Sequence, residues 1–121
     1  MDQEALVTDA QTLTRSLDET MIKPKGVMLA RSSETGESKL WVVPSNNIDK
    51  REFYGLVAQA ISAEDLNALD VGMVELVDMA RADRMGFRQL IRAPGISRIH
   101  LKSNWVNGIS LPEGIIIRMN L

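Results

Sequence analysis

Arg88, Arg92, Arg98, His100 and Lys102 recur at even-numbered positions in the C-terminal third of the chain, and they are the residues with the plainest capacity for chemistry. Extended backbone alternates its side chains, so even spacing gathers such residues on one side of a strand pair. Guanidinium groups make forked contacts with carboxylates and phosphates. A face of this kind suits an acidic protein partner and, as a second reading, a nucleic-acid backbone. The sequence pI of about 5.4 and the lack of an aromatic residue on that face to stack on a base weigh against nucleic acid. Pairing with acidic segments of the same chain is the simplest use of the face. Trp105, beside Asn104 and the Asn107-Gly108 turn signal, completes the candidate binding surface as an apolar anchor.

His100 is the single imidazole of the chain. In a strand it would lie between Arg98 and Lys102, whose like charges favour its neutral form, and a neutral imidazole can act as a general base. No nucleophile-elbow pattern or serine-histidine-acid motif accompanies it, so a solvated strand histidine is the simpler reading and a metal-independent enzyme is the third alternative. Carboxylates fall at short spacings in Asp49 with Glu52, Glu64-Asp65, and Glu75 with Asp78, where a hard cation could use them. Solvated helix faces account for them equally. The sequence has no cysteine, no twelve-residue calcium loop, no His-Glu-x-x-His pattern and no Gly-x-x-x-x-Gly-Lys phosphate loop, so no catalytic residue, metal or cofactor is assigned. A helix-turn-helix over residues 52–83 would present Glu75 and Asp78 to phosphate and is set aside.

Charge is partitioned along the chain although the net value is only −2. Residues 1–22 carry −4, residues 45–80 carry −5 and residues 81–105 carry +5. Aromatic residues make up 4%, so a core must be filled by Leu, Ile, Val, Ala and the seven methionines. Absence of cysteine gives no sign of an oxidising compartment, and no basic leader with an apolar run or membrane-length apolar stretch is present. A cytoplasmic location, without membrane association, is the expectation.

The elements that must position these residues follow from periodicity. Leu6, Ala10, Leu13, Leu17 and Met21 form the stripe of an amphipathic helix that Pro24 and Gly26 end. Residues 27–32 and 39–43 flank Glu34-Thr35-Gly36, a three-residue hairpin loop with glycine where positive φ is needed. With Thr35 at its centre, Leu29 should face Trp41 and Val27 should face Val43. Apolar residues on both sides of this hairpin call for cover on both faces. After Pro44, Ser45, Asn46 and Asn47 offer caps for a helix carrying Phe53, Leu56, Val57, Ala60 and Ile61, in which Gly55 would be explained by close packing. Ser62 with Asp65 reads as a box restarting helix, Asp70 as the cap of a stretch with Met73, Leu76, Val77 and Ala80 inward, and Gly86 as a stop.

From Phe87 the period becomes two. Residues 87–93 and 97–103 read as a hairpin around Pro94-Gly95. With Pro94, Gly95 and Ile96 as the loop, Phe87, Gln89, Ile91, Ile99 and Leu101 share one face, and the basic residues share the other with Leu90. Residues 108–111 and 115–119 are further strands around the Pro112-Glu113-Gly114 turn, and Ile115, Ile116 and Ile117 suit a strand buried on both faces. The expected fold is α+β, a single domain over residues 1–121. A mainly antiparallel sheet of about five strands, from the N-terminal hairpin and the C-terminal strands, packs with an N-terminal helix and a central helical segment. The expected role is a small non-catalytic binding or regulatory domain acting through protein contacts. Self-association is also expected, because so short a sheet can leave an unpaired edge.

Overall fold

Leu6, Ala10, Leu13 and Leu17 form the buried stripe of helix α1 (Gln3–Leu17) in the computed structural model, which describes residues 3–31, 35–89, 92–102, 104–106, 109–111 and 113–121. The helix stops four residues short of Met21. There, Thr20 caps it by donating its hydroxyl to the Leu17 carbonyl at 2.7 Å, and Met21 is left 53% exposed while Ile22 takes its place in the core. Strands β1 (Gly26–Arg31) and β2 (Ser38–Val43) form the expected hairpin, with Gly36 at φ +73°. Its register differs by one residue: Leu29 lies opposite Leu40, Val27 opposite Val42 and Met28 opposite Trp41. The connection runs from 32 to 37 rather than through a three-residue loop, which fixes a different set of partners. The part of that loop at 32–34 lies outside the described residues.

Helix α2 (Lys50–Ala63) buries Phe53, Val57 and Ala60. Its N-cap is Asp49, without a side-chain cap bond, while Ser45 instead donates its hydroxyl back to the Lys23 carbonyl. Gly55 is exposed with open space around it, so packing does not account for it. Ser62 and Asp65 do not restart helix. Asp65 adopts φ +53°, Leu66 donates to the Ile61 carbonyl and Asp65 to the Ser62 carbonyl, which is the paired-bond termination of a helix.

The expected helix from Asp70 is replaced by a 3-10 turn (Val71–Met73), strand β3 (Val74–Leu76) and helix α3 (Met79–Arg84). Asp78 caps α3 by accepting the Arg81 amide at 2.8 Å, and Gly86, at φ +78°, stops it as expected. β3 runs parallel to β2, so the sheet is mixed, with one parallel pair beside three antiparallel ones. Val77 donates to the Val42 carbonyl at 2.9 Å, and alternation therefore turns the amides of Val74 and Leu76 outward. Both are satisfied within the chain, Val74 by the Val71 carbonyl and Leu76 by the Tyr54 hydroxyl at 3.1 Å.

The remaining strands are β4 (Ile99–Leu101), β5 (Asn104–Val106), β6 (Ile109–Leu111) and β7 (Glu113–Met119). The main sheet has the order β3-β2-β1-β7-β4, and β5 pairs with β6 in a separate ribbon. Ile115, Ile116 and Ile117 occupy an interior strand and are buried, as their sequence implies. Val27, Leu29, Leu40, Val42, Ile115 and Ile117 pack under α1 and α2, whereas Met28, Val43, Ile116 and Met119 pack against Val77, Ala82 and Phe87 on the other face. Helical segments thus cover both faces of an α+β fold.

The hairpin expected over 87–103 does not form. Phe87–Gln89 is a 3-10 turn that sends Phe87 into the core, its ring 5.8 Å from that of Trp41. Burying a phenylalanine contributes roughly 2–3 kcal/mol, which favours the turn over an exposed ribbon. Pro94-Gly95 does not reverse the chain either. Ala93 exchanges hydrogen bonds with Met119, Ser97 donates to the Ile117 carbonyl and Ile99 lies opposite Ile116, so residues 93–101 run in one direction along β7. Proline lacks the amide a ladder needs, and here it marks an interruption in an edge strand. Leu90, Ile91, Ser103, Asn107, Gly108 and Pro112 lie outside the described residues. No helix among the described residues is long and apolar enough to cross a membrane.

Candidate functional site

With the 87–103 hairpin absent, the five basic residues do not form one face: Arg98 and His100 lie on the α1 side of the sheet and Arg88 on the other. Arg88 follows α3 and donates its Nε to Asp83 at 2.5 Å, on the Phe87 side of the sheet. Arg98 makes a forked pair with Glu4 of α1, which packs on the opposite side, Nη1 donating to Oε2 at 2.7 Å and Nη2 to Oε1. Arg92 and Lys102 are exposed in the connections flanking β4, and His100 is an exposed β4 residue. Trp105 lies in β5 opposite Ser110, and its side chain is outside the described part. Pairing with acids of the same chain, the plain alternative, accounts for Arg88 and Arg98.

The Glu4–Arg98 contact has a pH signature. Hydrogen bonding from Arg98 holds the Glu4 carboxyl below its ordinary value of 4.5 against an opposing desolvation, and the charges of Arg98 and His100 act in the same direction as the bond. A lowered folded-state value means the contact stabilises above the ordinary carboxyl range and is lost as pH falls through the folded value. A carbon-detected NMR titration is therefore expected to place the Glu4 midpoint below 4.5, and to return it upward in Arg98→Gln. An identical midpoint in both proteins would show that the contact does not persist in solution.

A different grouping emerges where the sheet overruns α1. On the α1 face the rows of side chains change character toward the β1–β2 turn. One row holds Leu40, Leu29, Ile115 and His100, and the next holds Ser38, Arg31 and Glu113, as the registers of β2, β1, β7 and β4 dictate. Past the first turn of α1 no helix among the described residues covers these positions, and a cleft of about 750 Å³ opens. Leu29, Gly114 and Ile115 contribute to its floor, Gln3 and Leu6 to one wall, and Asp70, Gly72 and Met73 to the other. Such a volume lies within the range of ligand and peptide sites.

Six ionisable residues line the cleft: the cations Arg31 and Lys39, the carboxylates Glu37, Asp70 and Glu113, and the His100 imidazole. Among the described residues, none of these side chains enters a hydrogen bond or ion pair. Arg31 and Glu113 are cross-strand neighbours, yet the guanidinium is directed toward the hairpin loop, its Nη2 3.9 Å from where a Gly36 Cβ would lie. His100 thus lines this cleft and not the expected basic ribbon. It has no carboxylate or hydroxyl hydrogen-bonded to it among the described residues, so the dyad needed for general-base chemistry is not assembled there. Arg31, Lys39, Glu37, Asp70 and Glu113 carried no sequence signal, because each reads singly as a solvated surface residue. No group of three or more His, Asp or Glu among the described residues is disposed to hold a metal ion.

The fold is therefore that of an α+β domain built on a mixed sheet. No family model matches this chain, and neither the comparison with curated proteins nor that with solved structures returned a match.

Proposed function

We propose that this chain is a non-catalytic binding or regulatory domain that acts through protein contacts, and that its partner occupies the cleft at the end of the sheet. One observation carries this reading: Arg31, Lys39 and three carboxylates, with the His100 imidazole, line one concavity over an apolar floor, and among the described residues they do not bond to one another. Charged groups left unpaired around a partly apolar cleft are poised to exchange water for a partner's side chains of opposite sign. The partner on this reading presents both signs rather than acid alone. Nucleic-acid binding is the weaker reading, because Arg88 lies on the other side of the sheet from Arg98 and His100 and both arginines are engaged by carboxylates of the same chain.

The test compares wild type with Arg31→Glu/Lys39→Glu, both immobilised and challenged with the soluble protein of the native cells. A partner retained by wild type and lost by the variant, with circular dichroism unchanged, is the expected result. Equal retention by both proteins, or none by either, overturns the proposal.

A further inference from the structure

We propose that the outer margin of β4 takes up an extended segment of another protein as an added strand, a segment in which acidic residues alternate with apolar ones. The direction of the backbone groups follows from the registers. Val42 accepts from the Val77 amide on the β3 side, so Trp41 turns its backbone polar groups to β1, and its partner Met28 turns to β2. Alternation then directs Leu29 to β7, its partner Ile115 back to β1, and Gly114 and Ile116 to β4. Ile99 and Leu101 are therefore engaged with β7, while the N–H and C=O of His100 point away from the sheet. Neither group meets a partner among the described residues. The β3 margin differs, because Val71 and Tyr54 already engage its outward amides.

The side chains of the margin select the occupant. Residues 92–102 contain Arg92, Arg98 and Lys102 and no acid. Glu4 holds Arg98, whereas Arg92 and Lys102 are exposed and enter no ion pair or hydrogen bond among the described residues. On the other side of β4, Ile99 and Leu101 are half-buried against the cluster that contains Ile116. A strand laid along this margin sets its residues alternately beside His100 and Lys102 and beside Ile99 and Leu101. Acids suit the first row and apolar side chains the second. A second copy of the chain does not fit, since antiparallel pairing of two such margins about His100 would set Arg98 of one against Lys102 of the other at both ends. The margin is a separate surface from the cleft, although His100 borders both.

The probe is a fluorescein-labelled hexapeptide of alternating Glu and Val, read by anisotropy at low salt, with the alternating Lys/Val hexapeptide as its counterpart. The Glu/Val peptide is expected to bind at least about tenfold more tightly than the Lys/Val peptide, and to lose about tenfold in Lys102→Glu. A ladder formed at His100 also has its own signature. Amide hydrogen exchange at His100, followed by NMR, should be fast in the free protein and at least about tenfold slower with the Glu/Val peptide bound. Equal binding of the two peptides, or binding unchanged by Lys102→Glu, overturns the proposal. Absence of binding overturns it too and leaves the cations as guards of a bare edge. Binding without slower exchange at His100 has the same consequence, because the peptide is then held by side chains alone and adds no strand.

Discussion

Gly114→Ala is expected to destabilise the protein on the order of 4 kcal/mol, lowering the thermal midpoint by roughly 12–20 °C. Gly114 lies in β7 between Ala30 of β1 and Leu101 of β4, both hydrogen-bonded neighbours in the sheet. A Cβ there would stand 2.2 Å from the Leu29 carbonyl oxygen and 3.0 Å from the Ala30 Cα. Both atoms belong to backbone, so no rotamer change relieves the clash. Either β1 moves away and forfeits ladder bonds, or β7 shifts and disturbs the isoleucines behind it. Set against a total stability of about 5–15 kcal/mol for a domain, the loss is a large share. Gly95→Ala is the matched control, since a Cβ at that position meets nothing within 4 Å. Melting followed by circular dichroism should separate the two variants clearly. A midpoint for Gly114→Ala within a few degrees of wild type would mean that β1 and β7 are not packed as described.

The second large effect concerns Arg118. Its guanidinium is bonded through Nη1 to Asp18 Oδ1 at 2.6 Å and through Nη2 to Oδ2 at 2.9 Å, while Nη1 also donates to the Pro24 carbonyl at 3.1 Å. The arginine side chain is only 13% exposed, and its Nε is buried without an acceptor among the described residues. Asp18→Ala would strand this cation in the turn that joins α1 to β1. Removing one partner of a buried pair costs about 3–5 kcal/mol, and the 34% exposure of Asp18 reduces this to about 2–3 kcal/mol. Urea unfolding should show a lower midpoint with an unchanged slope. Asp18→Leu/Arg118→Met should recover most of the loss, because replacing both partners removes the stranded charge. If the double variant is no better than Asp18→Ala, the ion pair itself is not the source of the effect.

Local patterns announced the elements whose stability is local. The α1 stripe, the β1–β2 hairpin, the body of α2, the stop at Gly86 and the burial of Ile115, Ile116 and Ile117 could all be read from spacing and residue type. β3 could not. Met73, Leu76, Val77 and Ala80 satisfy helical periodicity, and only the open edge of β2 selects strand pairing for Val74, Glu75 and Leu76. Pro94-Gly95 likewise looks the same whether it turns a hairpin or interrupts an edge, and the unsatisfied side of β7 decides between them. Gly114 resembled a turn glycine beside Pro112, although its reason for being there is the closeness of two strands. The cleft was illegible for a related cause. Its ionisable residues come from separate stretches around 31–39, 70, 100 and 113, and nothing in any one stretch distinguishes them from ordinary solvated charge.

The engaged amides of β3 also bear on how copies of this chain could accumulate. Lateral accretion into fibrils requires that a sheet offer a templating margin on each side, and here one margin is sealed by Tyr54 and Val71 while the other ends at the three residues of β4. Two copies that met through their β4 margins would present only the sealed β3 flanks of the five-stranded sheet to a third, so growth of that sheet terminates at a pair.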